Sequence, residues 1–238
     1  MMIVIPSALS ELKRTTWKPQ TTDGDGTPFD SKFAGLPWLG KAEPWPTCQH
    51  CSEPVTPFVQ LNLDALPETL IGEFGGGLLQ LFYCTNPKKG CESAGQIFAP
   101  FTPGKLVRIV TPDAAPGICK IPAGVRVFPP KRIIGWQAAD DYPNWEEGAE
   151  QGVELAHDDL YALADSGFPL SGDKLAGWPH WLQGIEYPRC PICQERMRLV
   201  FQVDSNDHLP YIFGDLGCGH ITQCPAHKHQ VTFAWACS

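Results

Sequence analysis

The sequence predicts an α+β fold rich in antiparallel sheet, arranged as two pseudo-repeated halves. Three observations carry this. First, 23 glycines and 24 prolines in 238 residues favour turns and short strands over long helices. Second, runs such as Phe58–Leu63 and Met197–Val203 alternate apolar side chains with the period of a half-buried strand. Third, the segment Lys32–Asn62 recurs as Lys174–Asp204 at a constant offset of 142 residues, without a gap. Lys32, Ala34, Gly35, Pro37, Pro46, Cys48, Cys51, Glu53 and Gln60 return as Lys174, Ala176, Gly177, Pro179, Pro188, Cys190, Cys193, Glu195 and Gln202. Most of these are Gly, Pro and Cys, types that carry backbone geometry or ligation rather than general apolarity.

Four stretches follow in order. Residues 1–30 read as an N-terminal helix and loop, with Ser7 or Ser10 as cap, Leu9 and Leu12 on an apolar side, and a flexible TTDGDGTPFD. Residues 31–137 form the first half: a Cys-x-x-Cys knuckle, strands at 58–63, 77–83 and 96–101, then LVRIV and VRVF. Residues 138–170 form an acidic helical connector. Asp140, Asp141, Glu146, Glu147, Glu150, Glu154, Asp158, Asp159 and Asp165 occur there without Lys or Arg up to position 165. Val153, Ala156, Leu160 and Leu163 give it helical spacing over about four turns, ended by Gly167 and Pro169. Residues 171–238 form the second half, and the whole packs as one compact unit.

Ten cysteines need an explanation. The N-terminal MMIVIPSALSELKR has no basic segment before its apolar run, so it reads as a poor signal peptide. No apolar run reaches the roughly 20 residues of a membrane span. A cytoplasmic protein is therefore expected, in which metal accounts for cysteines better than disulfides do. The first set is Cys48-x2-Cys51 with Cys84-x6-Cys91, two close pairs on separate turns. The second is Cys190-x2-Cys193 with Cys224 and a fourth ligand for which His227, His229 and Cys218 compete; the x2 spacing from Cys224 favours His227. Zinc suits both sets, and four protein ligands make each a structural site. Cys119 and Cys237 have no partner at ligand spacing and read as small core residues.

The formal charge of −8 excludes general affinity for nucleic acid, and only Arg189, Arg196 and Arg198 flank the second knuckle. No phosphate-cradling loop or nucleophile elbow is present, so a non-enzymatic role is favoured. Trp38, Trp178, Gln60, Gln202, Asp204 and Asp215 are the candidates for a ligand surface, although core packing is the better reading of the tryptophans and internal hydrogen bonding that of the glutamines. Asp204, Asp215 and His208 are the candidates for a polar pocket between the halves.

SKFAGLPWL, FVQLNLD, GLLQLFYC, DKLAGWPHWLQ, LVFQVDSN, FGDLGCGH and the ending FAWAC together resemble the YwqG-like (DUF1963-type) bacterial proteins of unknown function, over about residues 25–238. That family is similar in turn to the programmed-cell-death-2 proteins, two-halved chaperones of a ribosomal protein. The resemblance implies a mixed fold dominated by antiparallel sheet and supplies no catalytic residues. Three expectations about function result. The first is a zinc-stabilised protein-binding module, a chaperone or adaptor for a basic client held on the acidic segment. The second is a small-molecule binder or enzyme using the cleft between the halves. An immunity-type protein that neutralises a toxin by surface contact is a third.

Overall fold

The structure is a computed structural model describing residues 5–86, 90–91, 96–112, 116–117 and 120–238. After a 3-10 turn at Ser7–Leu12 the chain runs β1 (Arg14–Asp23), β2 (Lys32–Phe33), β3 (Thr56–Asn62), β4 (Leu78–Tyr83), β5 (Lys105–Val110) and β6 (Lys131–Asp141). Two helices follow, α1 (Trp145–Glu150) and α2 (His157–Ser166). Then come β7 (Lys174–Ala176), β8 (Arg198–Asp204), β9 (Cys218–Gln223) and β10 (Val231–Ala236). All ten strands join one antiparallel sheet in the order β10-β9-β8-β7-β1-β6-β2-β3-β4-β5. The two edges curl towards each other into a nearly closed barrel. Trp235 N donates to Phe98 O (3.0 Å), Phe101 N to Thr232 Oγ1 (2.8 Å), and the Trp235 indole to the Tyr83 hydroxyl (2.8 Å). These contacts cover part of the strand rims that would otherwise invite aggregation.

Strand alternation sorts the side chains. Phe33, Val59, Leu61, Leu79 and Leu81 on one side, and Leu175, Phe201, Val203, Ile221 and Phe233 on the other, share one buried core. Phe33 and Phe201 meet at 5.9 Å, and Phe58, Tyr83, Tyr211 and Phe213 form an aromatic knot beside them. The opposite face of the same strands is polar and still buried: Lys32, Gln60 and Gln80 in one place, Lys174, Gln202 and His220 in the other. Loops cover those layers, so each buried polar atom needs a built partner.

These partners explain the recurring residues. Gln60 Oε1 accepts from Trp38 N, and its amide donates to Pro28 O and Asp30 O. Gln202 makes the matching bonds to His180 N, Leu170 O and Gly172 O. Lys32 reaches Asp25 at 2.6 Å and Lys174 reaches Asp141 at 2.8 Å. Each carboxylate also caps a left-handed Ala-Gly turn, Ala34-Gly35 or Ala176-Gly177, by accepting from Leu36 N or Trp178 N. A Cβ at Gly35 or Gly177 would collide with that carboxylate, which is why glycine stands there twice.

Several expectations change. The segment 96–101 is turns rather than a strand, and its place in the sheet is taken by β5. VRVF at 125–128 is irregular. The four-turn helix is two shorter ones: Asn144 caps α1 by accepting from Glu147 N, and Gly152 at φ 82° turns the chain before α2. Gly167, at φ 75°, ends α2 as expected. The central pair β1 and β6 was hidden, one in a segment read as helix and loop, the other running into the acidic stretch. Cys237 packs half-buried against the core, and Cys119 lies outside the described residues.

Candidate metal centres

The first knuckle is a tight hairpin. Thr47 pairs with Pro54, Cys48 N donates to Glu53 O (2.8 Å), and Ser52, at φ 62°, returns its N–H to Cys48 O (2.7 Å). This turn aims both thiols the same way. Cys84, directly after β4, and Cys91 come from the neighbouring loop to meet them. The Cys48 and Cys91 sulfurs stand 3.8 Å apart, and those of Cys51 and Cys84 3.7 Å. Four sulfurs bound tetrahedrally at about 2.3 Å would be separated by about 3.8 Å, so the cluster has the size of a four-thiolate site.

The second knuckle repeats the turn. Arg189 pairs with Arg196, Cys190 N donates to Glu195 O (2.9 Å), and Gln194, at φ 62°, donates to Cys190 O (2.9 Å). Cys224, directly after β9, places its sulfur 3.6 Å from Cys193 and 3.6 Å from His227 Nδ1, while Cys190 lies 3.8 Å from that nitrogen. The geometry thus groups Cys190, Cys193, Cys224 and His227, with one donor atom from each within 4.8 Å of the others. Cys218 is elsewhere, near His180 and Asp204, and His229 is outside the group. Both four-residue groups could hold a metal ion, and no disulfide joins the described cysteines.

Crowding sets the thiol chemistry. Burial pushes Cys84 up to about 12 and raises Cys91 as well. At Cys190 burial also opposes ionisation, but the backbone N–H groups of Cys193 and Ile192 and the neighbouring thiols outweigh it and hold the thiol near 6. Each group thus mixes a thiol that ionises more readily, Cys51 or Cys190, with others that crowding holds back, and a cation among the sulfurs favours ionisation of all of them.

The other candidates scatter. Trp38, Gln60 and Gln202 are buried and bonded internally, while Trp178, also buried, borders a cleft beside α1. Asp204 is half-buried and Asp215 exposed, while His208 pairs with Asp173 at 2.9 Å. Asp204, Asp215 and His208 do not line the two larger clefts.

A cleft that the sequence did not announce opens between α1, the loop at 67–74 and the ends of β1, β7 and β8, with a volume of about 980 Å³. Arg14 lies 3.3 Å over the Trp178 ring and Arg196 3.9 Å over Tyr187. Glu147 is buried in the wall. Desolvation raises its carboxyl, against the Tyr187 hydroxyl at 2.6 Å and the Trp181 indole, which lower it. The signal available in advance was the trio Arg14, Arg196 and Arg198 in an acidic chain, but nothing local joins Arg14 to the other two.

Among the curated proteins searched, none matches this chain. A family model does match residues 31–236, which is most of the chain. The family is described only as a domain of unknown function, DUF1963, and on this match the chain belongs to it.

Proposed function

We propose that this chain is a zinc-stabilised protein-binding module, a chaperone or adaptor for a basic client. Both four-residue groups are read as closed zinc sites, because their edge lengths suit a d10 ion bound by thiolate and imidazole without an open position. The hydrogen bonds that recur at an offset of 142 support descent of β2–β5 and β7–β10 from one duplicated unit, each clamped at its knuckle. A cytoplasmic setting, where thiols stay reduced, is part of this reading. Among the described residues no helix is long and apolar enough to cross a membrane.

One observation carries the client's chemistry. A shallow groove of about 700 Å³ runs between α1 and the loop at 183–186, lined by Trp145, Glu146, Glu150 and Glu186 with no Lys or Arg. Trp145 is 56% exposed, and Tyr161 on α2 is 63% exposed. An exposed aromatic among carboxylates suits Lys and Arg side chains, through cation–π and charge-assisted contacts. Titration of an Arg/Lys-rich peptide should quench Trp145 fluorescence at low salt and weaken with added salt. The double variant Glu146→Lys/Glu186→Lys should weaken binding at least tenfold. Equal binding by that variant, or no binding at low salt, counts against the reading.

The 980 Å³ cleft favours a second reading, a small-ligand site. Arg14 rests on Trp178, donates to the Gly177 carbonyl at 3.5 Å and faces the cleft together with Glu147, which suits it to an anionic group that enters there. A thermal-shift screen of small carboxylates and phosphates that moves the wild type but not Arg14→Ala would support it. Equal shifts in both proteins would remove it.

A further inference from the structure

One group of donors lies outside both closed sites. Asp204 on β8 stands directly opposite Cys218 on β9 in the antiparallel register, so their side chains leave the same face as neighbours. His180 joins them from the loop after β7, fixed by the bond from its backbone N–H to Gln202 Oε1 (2.8 Å). One donor atom from each of His180, Asp204 and Cys218 lies within 4.8 Å of the other two. We propose that these three residues form a third metal site, an exchangeable one for a divalent transition cation of the zinc or cobalt(II) type.

The donors are held in place. Asp204 Oδ2 accepts from Gly172 N (2.7 Å) and Oδ1 from Ser205 N (2.8 Å), which fixes the carboxylate while leaving each oxygen a lone pair. Cys218 is buried, its sulfur 3.8 Å from His220 Nε2. His220 packs at a tilt against Trp181, the ring centroids 4.5 Å apart. The ring nitrogen Nδ1 of His180 is buried and has no hydrogen-bond partner among the described residues. Such an orphan is costly, and a metal ion is a partner that neutral imidazole accepts.

Charge and comparison within the chain agree. The Lys174 ammonium is closed on Asp141, so Asp204 and a Cys218 thiolate supply the two negative charges that offset a divalent ion. Mixed N, O and S donors suit a borderline-soft cation, and three protein ligands leave a position open, unlike the two closed groups. In the other set of strands the same places hold Trp38, Asn62 and Leu78, with Asn62 opposite Leu78 and Trp38 N bonded to Gln60. None of these offers imidazole, carboxylate or thiolate. The donors are therefore not required by the scaffold, which is built equally well without them.

The test is a difference in metal content. The purified full chain is loaded with excess zinc, desalted and its metal counted, beside Cys218→Ala and Asp204→Asn. Asp204→Asn copies Asn62 and keeps one of the two oxygens that accept from Gly172 N and Ser205 N, so it is a milder change that covers the case in which Cys218→Ala fails to fold. Each folded variant should hold one equivalent less than wild type at a similar thermal midpoint. With cobalt(II), Cys218→Ala should lose part of the sulfur-to-metal absorption, and a mild chelator should take one equivalent from wild type without unfolding it. Equal metal content in wild type and Asp204→Asn overturns the proposal. Because the readout is a difference, it stands apart from the reading of the two closed groups, whose failure would show as loss of the remaining ions.

Discussion

Lys174 and Asp141 are both 0% exposed and 2.8 Å apart. Removing one partner leaves a buried charge, so Asp141→Asn should destabilise the chain by about 3–5 kcal/mol in urea melts. Asp25→Asn should cost less, since Asp25 is 30% exposed and water reaches the carboxylate side of that pair, although Lys32 itself is buried. Equal losses would show that the two pairs are not distinguished by burial. His208 makes a pH-dependent contribution. The bond to Asp173, chiefly, raises its pKa above the usual imidazole value, against burial, which lowers it. A raised folded-state pKa means that its stabilisation fades as pH climbs through the folded value, while on the acid side it needs Asp173 ionised, whose carboxyl burial raises to about 6. The gap in thermal midpoint between wild type and His208→Asn should therefore narrow from pH 7 to pH 8.5. A gap that widens would contradict the sign. The lysines, glycines and glutamines that recur in sequence were visible as a pattern, but their reasons were not. Lys174 is conspicuous only once Asp141, 33 positions away, is seen beneath it.

At the scale of elements, the knuckles were legible because ligation is local. Two cysteines three residues apart on one turn can be read without tertiary information, and the 3.6–3.8 Å donor separations agree with that spacing. Strands β3 and β8 were legible because their alternation is strong, and β4 because its apolar run follows a turn of glycines. β1 was not. Arg-Thr-Thr-Trp-Lys-Pro-Gln-Thr-Thr-Asp has little apolar content, and its strand state is imposed by pairing with β6 and β7 on either side. The loops over the polar face depend on Gln60 and Gln202. Gln202→Leu strands the backbone N–H of His180 and two carbonyls, and should cost about 1–3 kcal/mol, as should Gln60→Leu for Trp38. Urea denaturation of the two variants checks this; a neutral result for either would mean that its loop finds other partners.

Across the whole molecule, β1 and β6 form the seam, with β2–β5 on one flank and β7–β10 on the other, and each flank ends in a knuckle. Most of the apolar core is shared between the flanks, whereas the cysteine groups tie the ends of each flank separately. Closed thiolate sites of this kind contribute on the order of 10 kcal/mol to folding, so metal and stability are expected to be inseparable here. The acidic face and the charged cleft are features of the finished assembly. Glu150 borders both the groove beside Trp145 and the cleft under Arg14, a meeting that only the packing of α1 against the sheet creates.

The most direct measurement is metal counting with X-ray absorption on the full chain after dialysis against a mild chelator, followed by a thermal melt in a strong one. Two retained zinc ions are expected, with an average shell of about 3.5 sulfurs at about 2.3 Å and half a nitrogen per ion, and a large fall in midpoint when they are stripped. A metal-free chain that melts cooperatively at an unchanged temperature would contradict the central claim that two bound ions hold this fold together.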